Sequence, residues 1–257
     1  MTAPRVLIIA ATDSSGGAGL TRDVQTLTAW RIEASCAVTA VTVQTDHEVR
    51  TTHVLPADLI SAQIRAALAD HTVRAIKIGM LATAQCVQAV CASLPSRDLV
   101  PIVLDPVLVA SSGGRLLDEE GVERLRRELL PRVSLITPNV TEAAALLGQG
   151  SAEGEPALLR QMQALHALGA AAVLIKGGHE TGAPSDVVID RLLQGGGQVR
   201  RLRAPRVMAQ RRGTGCSLAS AIAAQLAHGV SVLQACEAAQ AYIGAALRGD
   251  PWRAQRL

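Results

Sequence analysis

Short β-branched runs recur along this chain, and each is followed by a longer stretch rich in Ala, Leu and Arg with apolar residues at helical spacing. The short runs are apolar throughout rather than alternating, which marks strands buried on both faces. Alternation of such strands with helices folds as βαβ units around a mostly parallel sheet. The expected strands are Val6 to Ala10, Ala37 to Val43, Ala75 to Ile78, Val100 to Leu104, Ser134 to Ile136 and Ala172 to Ile175. Helical spacing predicts helices over Gly19 to Trp30, Asp58 to Asp70, Thr83 to Leu94, Asp118 to Leu130, Thr141 to Leu147, Glu155 to Leu168, Cys216 to His228 and Ser231 to Leu247. Asp186 to Ile189 and Val199 to Ala204, joined by Gly195-Gly196-Gly197, read as a hairpin added antiparallel to one sheet edge. The expected fold class is therefore α/β, three layers with helices on both faces, in one domain over residues 1–257.

Composition narrows the function. A chain of 257 residues that is 49% hydrophobic can bury one large core. With 25 basic against 22 acidic residues, the charge is thin and gathers in no patch, so nucleic acid is not the expected partner. Phenylalanine is absent and the aromatics are Trp30, Tyr242 and Trp252, which leaves no platform for stacked bases. Met1 to Arg5 lacks the pattern of a secretory signal, and no apolar run reaches the roughly 18 residues of a membrane span. A soluble, cytoplasmic protein without membrane contact is expected. Five cysteines, at 36, 86, 91, 216 and 236, form no CxxC pair, which argues against disulfides and structural zinc. Among the basic residues only Lys77 and Lys176 are lysine. An ammonium is a compact point charge where guanidinium is a planar fork, so those two positions stand out.

Open parallel sheets bind ligands beyond the carboxyl ends of their strands. After the first expected strand comes Thr12-Asp13-Ser14-Ser15-Gly16-Gly17-Ala18-Gly19, then a helix carrying Asp23. This is neither a GxGxxG fingerprint nor a P-loop. It is either a tight turn or a place where a ligand lies against bare backbone. Gln44, after the second strand, has an amide suited to a heterocycle's edge. Ile78-Gly79-Met80 and Leu104-Asp105-Pro106-Val107 end two further strands and put a thioether, a carboxylate and apolar walls on one rim. Asn139 and Glu142 are either a capping box or a place where the Glu142 carboxylate holds a magnesium ion through water beside nucleotide phosphates. Lys176-Gly177-Gly178-His179 places a lysine at a strand end, where it can neutralise polyphosphate. Gly213-Thr214-Gly215-Cys216 opens an apolar helix, and bare amides at a helix start form an anion hole. The same field is expected to lower the Cys216 thiol pKa.

Taken in order, these segments resemble the ribokinase superfamily, and cysteine at 216, where its sugar kinases carry aspartate, is similar to the hydroxymethylpyrimidine and phosphomethylpyrimidine kinase branch. The resemblance implies a ribokinase-like fold and ATP-dependent phosphorylation of hydroxymethylpyrimidine, then of its monophosphate, in thiamine biosynthesis. It implies that Asp23 and Gln44 bind the aminopyrimidine, with Ala18, Gly79, Met80 and Val107 shaping the pocket. Asn139, Lys176 and Gly178 would serve ATP, Glu142 the Mg2+, and Gly213, Thr214 and Gly215 the transferred phosphate. Cys216 would orient or deprotonate the hydroxymethyl group, and a homodimer is implied. The chain departs from the pattern at Ala11, usually glycine, and at Gln210-Arg211-Arg212, usually Asn-Thr-His. Pyridoxal kinase is the alternative enzyme, and a catalytically silent pyrimidine-binding sensor the alternative of another class.

Overall fold

A computed structural model describes residues 3–70, 72–110, 113–178, 187–209 and 211–249. The elements run β1 (Arg5–Asp13), α1 (Gly19–Ala29), β2 (Glu33–Gln44), β3 (Val49–Val54), α2 (Ala57–Asp70), β4 (Val73–Ile78), α3 (Ala84–Ser93) and β5 (Ile102–Leu104). They continue with α4 (Glu119–Arg124), β6 (Leu135–Ile136), α5 (Val140–Leu147), α6 (Gly154–Ala167), β7 (Val173–Ile175), β8 (Val187–Gln194), β9 (Gln198–Pro205), α7 (Thr214–Ala227) and α8 (Val232–Leu247). One sheet joins the strands in the order β3-β2-β1-β4-β5-β6-β7-β8-β9. From β2 to β7 all neighbours are parallel, while β3 at one edge and β8 and β9 at the other are antiparallel.

Period-two alternation along each strand divides the core between the two faces. Val6, Ile8 and Ala10 of β1 pack with Leu27 of α1, Ile222 of α7 and Tyr242 of α8. Leu7 and Ile9 point the other way, toward Ile60 and Ile64 of α2, Val90 of α3 and Met162 of α6. The three-layer arrangement read from the sequence is thus observed, with its edge hairpin. Helix α7 is buried at every position from Ser217 to Ala227. A helix that is apolar all round belongs inside, and its run of alanines lets it lie close over β1, β4 and β5. Its first turn therefore emerges at the carboxyl ends of those strands. Strand order also reverses between β1 and β4, the switch point at which open α/β sheets leave a crevice for ligands.

Several boundaries differ from expectation. β1 runs on to Asp13 because a register shift between Ala10 and Thr12 lets the polar Thr12-Asp13 pair with Val41 and Thr42. β3 was not foreseen: its Arg50, Thr51, Thr52 and His53 lack an apolar run, and pairing with β2 alone makes it a strand. The helix expected to reach Leu130 loosens to a π turn over Leu125–Leu129 and tightens to a 3-10 turn over Leu130–Arg132, where Pro131 can donate no helical hydrogen bond. Asp186, His179, Gln210 and Trp252 lie outside the described residues. No described helix is long and apolar enough to cross a membrane.

Candidate active site

The carboxyl ends of the parallel strands share one rim, and the starts of α1 and α7 meet there. Gly213, the residue before α7, is left-handed (φ 74°), and a Cβ on it would strike the Gly17 carbonyl and come within 3.2 Å of the Ala18 Cα. Glycine is thus required twice over, by conformation and by contact. Neither helix start receives a side-chain cap or carries an acid in its first turn. Thr83, Asp118, Asn139 and Ser231, by contrast, cap α3, α4, α5 and α8. The positive ends of the two helices thus meet at one spot, where the Gly19 backbone also bonds Cys216. The turn glycines also serve the turn itself, since a Cβ on Gly19 would lie 2.6 Å from the Ala11 carbonyl oxygen.

Both lysines of the chain come to this rim. Lys77 donates to Asp23 at 2.7 Å with both side chains fully buried, and Ser220 donates to the other Asp23 oxygen at 2.8 Å. Burial first, and the Asp105 carboxylate to a lesser degree, drive the Asp23 carboxyl upward, while the Lys77 ammonium and Ser220 hydroxyl pull against them. Burial also works against the ammonium, but Asp23 beside it, then Cys216 and Asp105, hold the Lys77 pKa above the ordinary lysine range. The pair stands as a salt bridge. Lys176 donates to Asp105 at 3.0 Å and lies 3.5 Å from Glu142. Here too burial opposes the charge and the carboxylates, Asp105 first, outweigh it. An isolated parallel bridge between Asn139 and Lys176 sets these residues side by side.

Cys216 corrects the electrostatic expectation. Burial pushes its thiol up to about 12, with Asp23 and Asp105 adding to the rise, while Lys77 and a hydrogen bond with the Gly19 backbone counter it only in part. The helix start does not lower this thiol, because two carboxylates and desolvation outweigh the dipole.

Met80 and Val107 share a small apolar cluster with Ala11, Ala40, Ala82 and Leu116. The additional methyl of Ala11 is therefore inside the cluster expected to wall the pyrimidine. Gln44 is tied to the β1–α1 turn, where the Ser14 hydroxyl donates to its carbonyl and accepts from its amide, both at 2.8 Å. Its side-chain oxygen accepts from Thr42, and no hydrogen bond of its Nε2 occurs among the described residues. Gly79 lies where a Cβ would be 2.8 Å from the Lys77 Nζ, and Gly215 where one would be 3.3 Å from the Lys176 Nζ. Thr214 is the first residue of α7, and Gly178 is an exposed turn residue whose carbonyl accepts from Arg206. Ala18, extended, is the N-cap of α1. Asn139 and Glu142 form a full capping box, each accepting the other's backbone amide at 2.8 Å. The capping-box reading is thus observed, and the Glu142 oxygen that caps, Oε2, is also the one 3.5 Å from the Lys176 Nζ. Burial raises the Glu142 pKa against the pull of Lys176.

Among the described residues no group of three or more His, Cys, Asp or Glu could cage a metal. Two carboxylates, Asp105 and Glu142, do flank Lys176. That donor set suits magnesium, which keeps several waters and is held by one or two carboxylates together with substrate phosphates. The sequence pattern assigns no site role to Asp105, Lys77 or Ser220. The lysine scarcity and the aspartate at a strand exit were the signals for the first two; nothing local marks a serine inside a buried helix.

The chain matches the phosphomethylpyrimidine kinase family over residues 13–256. It is 40% identical to the hydroxymethylpyrimidine/phosphomethylpyrimidine kinase of Rhizobium meliloti, covering 94% of this chain and 89% of that one. The enzyme of that name from Escherichia coli is 38% identical, with 94% and 90% covered. A thiamine biosynthesis multifunctional protein of Corynebacterium glutamicum is 40% identical over 96% of this chain, which spans 32% of that longer protein. Among solved structures, an ADP complex of Bacillus subtilis pyridoxal kinase has a TM-score of 0.85 at 29% identity, covering 95% of this chain and 92% of that one. A phosphomethylpyrimidine kinase from Clostridium difficile scores 0.82 at 31% identity, with 95% and 99% covered. The ribokinase-like fold is therefore the observed one, and the sequence relatives are phosphotransferases. Agreement of sequence and fold over nearly the whole chain makes this protein a member of the phosphomethylpyrimidine kinase family.

Proposed function

We propose that the protein transfers the γ-phosphoryl group of ATP to the hydroxymethyl group of 4-amino-5-hydroxymethyl-2-methylpyrimidine, and then to the phosphate of that product, in thiamine biosynthesis. The observation that carries the reading is the uncapped start of α7, which lies against the start of α1 and beside the Lys176, Asp105 and Glu142 cluster. Phosphoryl transfer asks mainly for positioning and for charge stabilisation, and this arrangement offers both.

Gly213, Thr214 and Gly215 present backbone amides to the phosphoryl group in flight. Lys176 neutralises nucleotide phosphate oxygens, with Asn139 and Gly178 at the same strand ends. Asp105 and Glu142 would hold a magnesium ion through water, and that ion supplies further neutralisation of phosphate charge. Met80, Val107, Gly79 and Ala18 wall the pyrimidine, and the free Nε2 of Gln44 donates to its edge. Asp23, expected to bind the aminopyrimidine, acts instead through Lys77 and Ser220, since its side chain is fully buried beneath the rim. Cys216, a neutral thiol at working pH, orients the acceptor hydroxyl, whose proton passes to an oxygen of the transferred phosphoryl group as the new O–P bond forms and ADP leaves. A cytoplasmic homodimer is the setting that the family resemblance implies.

Separation of mono- from diphosphate after incubation with magnesium ATP and hydroxymethylpyrimidine tests the proposal. Appearance of both products in sequence is expected, and absence of pyrimidine-dependent ATP consumption would refute it. Pyridoxal is the second acceptor to try, because a pyridoxal kinase shares this scaffold at a TM-score of 0.85. A higher kcat/KM with pyridoxal would reassign the substrate while leaving the transfer chemistry in place.

A further inference from the structure

Arg212 directly precedes the α7 N-cap, at a place where the family pattern has no arginine. Its Nη1 donates to the Ser15 hydroxyl at 2.8 Å and to Asp46 at 2.9 Å, and its Nη2 to Asp13 at 3.2 Å. Nη1 also lies 3.0 Å from where a Gly17 Cβ would be. These partners lie at the end of β1, in the β1–α1 turn and in the β2–β3 turn, which carry the acceptor side of the proposed site. None belongs to the Lys176, Asp105 and Glu142 cluster assigned to ATP. The guanidinium therefore faces the acceptor and not the nucleotide.

Its two carboxylate partners differ in kind. The Asp13 side chain is 3% exposed, so that pair is shielded and persistent, whereas the Asp46 side chain is 71% exposed and its pair is weak. A phosphate monoester carries close to two negative charges and offers several acceptor oxygens, which makes it the stronger partner for a guanidinium edge. We propose that Arg212 reads the phosphate of the second acceptor, exchanging Asp46 for that phosphate while Asp13 keeps hold of the other guanidinium nitrogen. The alcohol acceptor of the first step has no such group and leaves the Arg212–Asp46 pair closed. The inference rests on the two-step reading above and deepens it, because it assigns the choice between the two acceptors to one side chain.

Initial rates of the full-length protein with saturating magnesium ATP, measured against hydroxymethylpyrimidine and against its monophosphate, test the exchange. Arg212→Gln should raise KM for the monophosphate about tenfold more than KM for the alcohol, the loss of a charged hydrogen bond. Asp46→Asn removes the competing carboxylate and should lower KM for the monophosphate about threefold relative to the alcohol. Asp46 is exposed, so this second variant decides the matter even if Arg212→Gln fails to fold through its bond with Asp13. A ratio of the two KM values left unchanged by Asp46→Asn overturns the inference. Turnover of the alcohol but not of the monophosphate by the unaltered protein also overturns it and spares the kinase reading, while turnover of neither overturns both.

Discussion

Lys77 and Asp23 form a fully buried ion pair whose removal one partner at a time leaves a bare charge. Breaking such a pair typically costs about 3–5 kcal/mol, whereas replacing both partners with apolar groups of similar volume is often close to neutral. Lys77→Met alone should thus lower the melting temperature far more than the double change Lys77→Met with Asp23→Leu. Equal losses in a thermal melt would show that the pair contributes nothing beyond its volume. Cys216 gives a second expectation at this scale. With its thiol at about 12, alkylation of the ligand-free protein by iodoacetamide, in a Cys36→Ser background, should accelerate about tenfold per pH unit up to about pH 10 without a plateau. A plateau near neutrality would restore the thiolate. Residue by residue, the sequence marked the glycines, Lys176, Met80, Val107 and Cys216, because unusual residue types at strand exits are visible in a linear string. It did not reveal that Asp23 is spoken for by Lys77 and Ser220, since those contacts span 54 and 197 positions.

Elements were legible where periodicity was strong. The β-branched core strands and the alanine-rich α7 followed from pattern alone, whereas β3 did not, since an edge strand with polar side chains is defined by its neighbour. The late hairpin shows an element acting on the site from outside it. Asp190 of β8 accepts from the Gly177 amide at 2.8 Å and from Gln240 of α8 at 2.9 Å, and a Cβ on Gly177 would strike the Ile189 carbonyl. The backbone just past Lys176 is thereby fixed against the hairpin. Asp190→Ala leaves that buried amide unpaired, and should raise KM for ATP about tenfold while KM for the acceptor moves little. Asp190→Asn retains the accepting oxygen and should recover most of the loss. If the asparagine variant is as impaired as the alanine one, the hydrogen bond is not what positions Lys176.

At the scale of the whole molecule, the buried titratable groups act in one direction. Burial raises the thiols of Cys91 to about 11 and of Cys216 to about 12, the Tyr242 hydroxyl to about 12, and Cys236 higher still. Lys77 and Lys176 are raised as well, by their carboxylate partners acting against burial. In each case the folded protein holds its proton to a higher pH than the unfolded chain does. Between the ordinary value and the raised one the unfolded state has released a proton that the native state keeps, so stability falls as pH rises. The thiols begin this loss near 9.0, the tyrosine near 10.0 and the lysines near 10.5, their ordinary values. Each group lost in this way amounts to about 1.4 kcal/mol per pH unit, and their windows overlap. Melting temperature should therefore change little between about pH 7 and 8.5 and then fall with steepening slope. The same scan on Lys77→Met with Asp23→Leu should fall less steeply above about pH 10.5, because one of the contributing groups is gone. A melting curve that stays flat to about pH 11 would mean that these groups are as open to water in the native state as in the unfolded one, which the burial of Cys91 in α3, Cys236 and Tyr242 in α8 and Lys77 in β4 contradicts.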